Sequence, residues 1–138
     1  MLTVLKSHES SIFFGVPTLF NAILANPDND RSRVSDALRL CVSAGEALPA
    51  NILHQWQRNF GIDIIDGIGS TEALHIFITN HIGAVVPGAS GVLVPGYQAR
   101  ILDEEDKEVP TGQVWRLLSK GPSIAGYYWE EPERTAQT

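Results

Sequence analysis

The 138-residue chain has one cysteine, one methionine and no uninterrupted apolar run of membrane-spanning length. Each shortage removes a class of protein. Cys41 alone makes neither an internal disulfide nor a cysteine-rich zinc site. With no stretch near ~18 consecutive apolar residues, no membrane crossing is expected. The start, Met1-Leu-Thr-Val-Leu-Lys-Ser-His8, lacks a basic stretch leading into a long apolar one, so it does not read as a secretory signal. These absences make a reducing, cytoplasmic setting the expectation. Basic residues are also few, 10 Lys and Arg against 16 Asp and Glu, a net charge of -6. Nucleic-acid binders carry a basic stripe, so neither nucleic acid nor a membrane is expected as a partner.

What is present fits a packed globular chain. The hydrophobic share is 43% and the charged share 19%, which argues against disorder. A chain of this length buries roughly 68–70% of its unfolded surface, enough for a core. The texture changes along it. Residues 1–81 alternate strand and helix patterns, whereas residues 82–138 read as short strands between Gly- and Pro-bearing turns. Charge shifts with texture: from Asp103 onward there are 8 acids and 4 bases, a net of -4 out of the total of -6.

Residues 11–16 read as a strand, and a helix follows from Pro17, with Leu19, Phe20, Ile23 and Leu24 at helical spacing. Residues 38–43 read as a buried strand running into a Gly-bearing turn. Residues 49–60 form the strongest helix pattern, with Ile52, Leu53, Trp56 and Phe60 on one face and Gly61 as its stop. Residues 62–65 make a third strand. The order strand, helix, strand, helix, strand implies a parallel α/β sheet with right-handed crossovers. Ligands of such sheets sit beyond the carboxyl ends of the strands, where both Gly-rich segments fall. Further on, residues 97–102 and 114–118 read as strands joined by the acidic run 103–108, a solvated hairpin turn. Pro132 opens a helix.

The sharpest chemical signal is Asp66-Gly-Ile-Gly-Ser-Thr-Glu72. Read as a turn leaving a strand end, its glycines admit close backbone approach by a bulky anion or ring. The Thr71 hydroxyl can donate to a phosphate oxygen, and the Glu72 carboxylate can hold Mg²⁺ on phosphates. The competing reading is a helix start capped by Ser70 or Thr71, with Glu72 favourable to the helix dipole. Glu72 and His75 share a face if residues from Thr71 onward are helical, and point apart if the segment is extended.

Three further segments stand in order with it: Phe14-Gly-Val-Pro-Thr18, Ser43-Ala-Gly-Glu-Ala-Leu-Pro49, and Gly112-Gln-Val-Trp-Arg-Leu-Leu-Ser-Lys-Gly-Pro122 with Gly126-Tyr-Tyr-Trp129. Together the four resemble the acyl- and aryl-CoA ligases of the adenylate-forming superfamily, across essentially the whole chain. The wording is most similar to that of benzoate-CoA ligases in residues 13–18, 41–49 and 66–77. The resemblance implies that an aromatic carboxylic acid attacks the α-phosphate of ATP with Mg²⁺ present, giving an acyl-adenylate and pyrophosphate. Coenzyme A then displaces AMP. It implies a catalytic Thr71 toward the α-phosphate and Glu72 toward Mg²⁺. It places nucleotide binding on Gly45, Glu46, Ala47, Asp66, Gly67, Ile68, Gly69, Ser70 and Thr71, with the Asp66 carboxylate accepting from the adenine amino group. The acid pocket falls on Phe14, Ala44, Gly69, His75 and Ile76. Two positions depart from the family wording: Ile68 where an aromatic residue often stacks on adenine, and Gln113 where a glutamate is usual.

The fold class implied is a parallel-sheet α/β segment over residues 1–81, which binds nucleotide and acid, followed by a small β-rich, barrel-like segment over 82–138. Together they form a partial domain of an adenylate-forming enzyme. The family's phosphate loop is expected before residue 1, and its ribose-binding aspartate, hinge and catalytic lysine beyond Thr138. The chain by itself is therefore expected to be inactive and to depend on the rest of a longer polypeptide. The alternatives are a non-aromatic acyl-CoA ligase segment, an adenylation segment of a peptide synthetase, and a non-catalytic α/β binding domain.

Overall fold

The computed structural model describes residues 1–137. Its elements run α1 (Leu2–Ser7), β1 (Ile12–Gly15), α2 (Pro17–Leu24), a 3₁₀ turn (Arg31–Arg33), β2 (Leu40–Ser43), α3 (Ala50–Phe60), β3 (Ile64–Gly69), β4 (Ile76–Thr79), β5 (Val92–Leu93), β6 (Gln98–Leu102), β7 (Arg116–Lys120) and α4 (Pro132–Gln137). The first five strands form one sheet in the order β1-β2-β3-β4-β5, and β6 pairs with β7 in a separate antiparallel ribbon.

The parallel half follows directly from the sequence. Pro17 starts α2 at a position where a missing N–H costs nothing, after an extended Val16. Gly61, at φ +64°, ends α3 in the left-handed conformation that a side chain disfavours. Between them the chain lays β1, β2 and β3 side by side, with Phe13, Cys41 and Ile64 in register. All three are buried on the face covered by α2 and α3. Phe20 and Trp56 fill that layer without any exposed surface. The Phe20 ring meets Phe13 edge-on at 5.3 Å and Trp56 at 4.9 Å, and Trp56 stacks on Phe60 at 4.1 Å. Burial pushes the Cys41 thiol up to about 12, so it behaves as a small apolar side chain and not as a nucleophile.

The sheet continues where a turn was expected. Residues Asp66 to Gly69 remain in β3, and Gly67 to Gly69 pair antiparallel with β4, with an irregularity between Ile68 and Gly69. The reason lies in the two missing Cβ atoms. A Cβ on Gly67 would lie 2.6 Å from the Ile76 Cγ2, and one on Gly69 2.5 Å from the His75 carbonyl oxygen. The glycines therefore let β4 close on β3. The turn itself begins at Ser70. β5, drawn from beyond residue 81, extends the same sheet by pairing with β4. Between β6 and β7, the acidic run turns on Asp103, whose Oδ1 accepts the backbone N–H groups of Glu105 and Lys107, both at 2.9 Å.

Candidate functional site

Ser43 and Asp66 end the parallel part of β2 and β3 in register. By strand alternation their side chains share the face of Cys41 and Ile64, beneath the helices. Both are buried. The Ser90 hydroxyl donates to Asp66 Oδ2 at 3.4 Å, while Asp66 Oδ1 and Ser43 Oγ have no partner of ordinary geometry. Burial pushes the Asp66 carboxyl above its usual value, opposed by the Leu48 N–H, the Ser90 hydroxyl, the Gly67 N–H and the Ser43 hydroxyl. Because this acid's folded pKa is raised, its burial disfavours the folded state above that pKa, and the penalty disappears below the unfolded value. A buried carboxylate oxygen left unpaired is costly until a donor meets it. The loop over these strand ends carries Gly45 at φ +92°, and Gly45, Glu46 and Ala47 are all exposed.

The segment from Ser70 to His75 is a turn, not a helix. Ser70 Oγ accepts the Ala73 N–H at 3.2 Å, as an N-cap would, and the Thr71 carbonyl accepts the Leu74 N–H at 3.1 Å. Leu74, at φ +66°, then turns the chain into β4 before a second helical turn can form. The helical arrangement that would put Glu72 and His75 on one face is thus not adopted. His75 is exposed, with Nδ1 2.7 Å from the Ile76 carbonyl. Thr71 is exposed beside a half-buried Glu72. The Tyr128 hydroxyl donates to Glu72 Oε1 at 2.7 Å, and Arg134 lies 4.0 Å above the Tyr128 ring. That hydroxyl first, and Arg134 more weakly, hold the Glu72 carboxyl below its usual range. Glu72 opens onto a groove of about 590 Å³ whose walls include Ser70, Arg116, Leu118, Ser119 and Tyr128.

The residues assigned to an acid pocket divide between two places. Gly69 pairs with Ile76, and His75 lies against Gly69, so these three stand together. Phe14 lies on β1, in register with Val42, which pairs in turn with Ile65. It is 69% exposed, so it is no core residue. Alternation places Phe14, Ile65 and Gly67 on the face opposite Asp66, and Ile76 covers that same face above Gly67. Phe14 and Ile76 therefore share a sheet face, with half-buried Ala44 following β2 between them. Ile68 is 39% exposed. Tyr128, within the Gly126 to Trp129 segment, has no site role in the sequence reading. Its bond to Glu72 spans 56 residues and leaves no trace in local pattern.

Comparison with known proteins fits this arrangement. Residues 1–129 match the family described as AMP-binding enzyme. Among curated relatives, a benzoate–CoA ligase from Thauera aromatica is 51% identical over 135 residues, 97% of this chain and 25% of its own length. Among solved structures, a benzoate CoA ligase from Burkholderia xenovorans LB400 superposes with a TM-score of 0.93 at 46% identity, covering 98% of this chain and 27% of that one. An anthranilate CoA ligase in complex with anthranoyl-AMP also gives 0.93, at 42% identity, covering 99% and 26%. The chain thus spans about a quarter of the length of the relatives it matches.

Proposed function

This chain belongs to the AMP-binding enzyme family, and from that premise we propose that it supplies the nucleotide- and acid-binding part of an ATP-dependent ligase joining an aromatic carboxylic acid to coenzyme A. The observation that carries the reading is the 51% identity to a benzoate–CoA ligase over 97% of the chain, with the ordered segments around Phe14, Gly45, Asp66 and Glu72 all inside it.

In this reading the acid's carboxylate oxygen forms a bond to the α-phosphorus of ATP, and pyrophosphate leaves. The coenzyme A thiolate then forms a bond to the acyl carbon, and AMP leaves. Thr71, exposed on the turn, donates its hydroxyl toward the α-phosphate. The Asp66 carboxylate accepts from the adenine amino group, and the backbone of residues 45–47 borders the base. Phe14, Ala44, Gly69, His75 and Ile76 receive the acid.

Among the described residues, no three His, Cys, Asp or Glu side chains gather as a metal cluster. A cation at Glu72 would thus take most of its ligands from phosphate and water, which suits Mg²⁺. Mg²⁺ bound there would offset negative charge on the phosphates. Glu72 contributes a carboxylate kept ionised by its neighbours.

The aromatic part of the proposal is tested at His75. We take as test protein a ligase of the relatives' length, in which these 138 residues replace the matching stretch of the Thauera aromatica benzoate–CoA ligase. The exposed imidazole can donate to the acid's carboxylate. His75→Ala is expected to raise KM for benzoate roughly tenfold, about 1.4 kcal/mol, while KM for ATP moves much less. An equal rise for both substrates with a lowered Tm makes His75 structural and removes the support for an aromatic substrate.

A further inference from the structure

We propose that Tyr128 is a positioning residue for Glu72, fixing its carboxylate at the wall of the groove; this rests on the reading of Glu72 as the cation-binding carboxylate. The turn that carries Glu72 is tied down by a strap from the β-rich part of the chain. The Ala125 N–H donates to the Glu72 carbonyl at 2.7 Å, and Ser123 Oγ donates to the Ala73 carbonyl at 2.6 Å. Tyr97 in turn hydrogen-bonds Ser123 through its hydroxyl. The backbone of the turn is therefore set by residues some fifty positions later, and Tyr128 extends the same strap to the side chain.

Tyr128 is itself held at both ends. Its N–H donates to Thr135 Oγ1 at 2.9 Å, and its ring lies under the Arg134 guanidinium. A ring fixed in this way delivers its hydroxyl to one oxygen of Glu72 at 2.7 Å without having to be ordered when a ligand arrives. A carboxylate held at one oxygen is ordered before a hard cation meets it. Among the described residues, the titratable or charged groups around Glu72 are Tyr128 and Arg134 on the strap side and Arg116 on the groove wall; Ser70 adds a hydroxyl. None of them is acidic, so nothing among them competes for a cation. Arg116 is engaged by Asp106.

Tyr128→Phe removes the hydroxyl and keeps the ring beneath Arg134. The Mg²⁺ dependence of adenylation by the segment-swapped ligase tests the proposal. The Mg²⁺ concentration for half-maximal rate is expected to rise about tenfold in Tyr128→Phe, with KM for benzoate unchanged. An unmoved Mg²⁺ dependence overturns the proposal. So does a uniform loss of rate with a lowered Tm and no change in Mg²⁺ dependence, which would make Tyr128 structural. Glu72→Gln run alongside separates the two levels: no loss of rate there defeats the reading of Glu72 itself, whereas a large loss there with an unaffected Tyr128→Phe defeats only the positioning role.

Discussion

Glu72→Gln in the segment-swapped ligase is expected to slow adenylate formation on the order of 10²-fold at saturating ATP and benzoate, with the fold intact. The amide has nearly the shape of the carboxylate but no charge, and Mg²⁺ prefers charged oxygens. The change also weakens the bond at Tyr128, because the hydroxyl that donates to Glu72 Oε1 at 2.7 Å then meets a neutral amide. The backbone of the turn is held independently, by the bond from the Ala125 N–H to the Glu72 carbonyl, so unfolding is not expected. The check is ATP–pyrophosphate exchange over a Mg²⁺ series, with circular dichroism to confirm the fold. A rate equal to that of the parent at saturating Mg²⁺ would reduce Glu72 to a turn residue.

Trp56→Ala is expected to be the most damaging change outside the turn. Trp56 is fully buried in α3, stacked on Phe60 and edge-on to Phe20, so truncation empties the middle of the helix–sheet layer. Removing a buried Trp costs about 3–5 kcal/mol, the upper end being favoured where the aromatic neighbours cannot collapse inward. That is a large share of a domain's stability. Urea unfolding followed by far-UV circular dichroism is expected to show the loss. A cost below about 1 kcal/mol would mean that α3 does not depend on this packing.

Trp56 also shows what a sequence can disclose. It lies one turn from Ile52 and Phe60 on a stripe closed by Gly61, and α3 formed with that stripe inward. The parallel strands β1 to β3 were readable for the same reason: short apolar runs alternate there with helices, and their order leaves little topological choice. The hairpin of β3 and β4 was less accessible. Asp66-Gly-Ile-Gly reads as a turn because glycine permits one, yet here its missing Cβ atoms serve the close approach of Ile76 and His75. Local propensity cannot tell these two uses of glycine apart. The same holds for residues 70–75, where Ser70 caps as it would a helix and Leu74 then diverts the chain.

The candidate site was legible in part. Asp66 and Glu72 stood out by type and spacing, and both prove to have environments that shift their titration, in opposite directions. Phe14 and Ile76, 62 positions apart, come to one sheet face only through the strand order. Tyr128 and the Ala125 strap could not be read at all, since contacts across some fifty residues depend on the tertiary fold.

The central claim is that these residues bind ATP and an aromatic acid together, and the segment swap itself measures it most directly. The ligase in which this chain replaces the matching stretch of the Thauera aromatica enzyme is expected to catalyse ATP–pyrophosphate exchange that depends on benzoate and stands well above the acid-free background. A swapped protein that folds and binds ATP, yet shows no exchange with benzoate or other aromatic acids, would contradict the account.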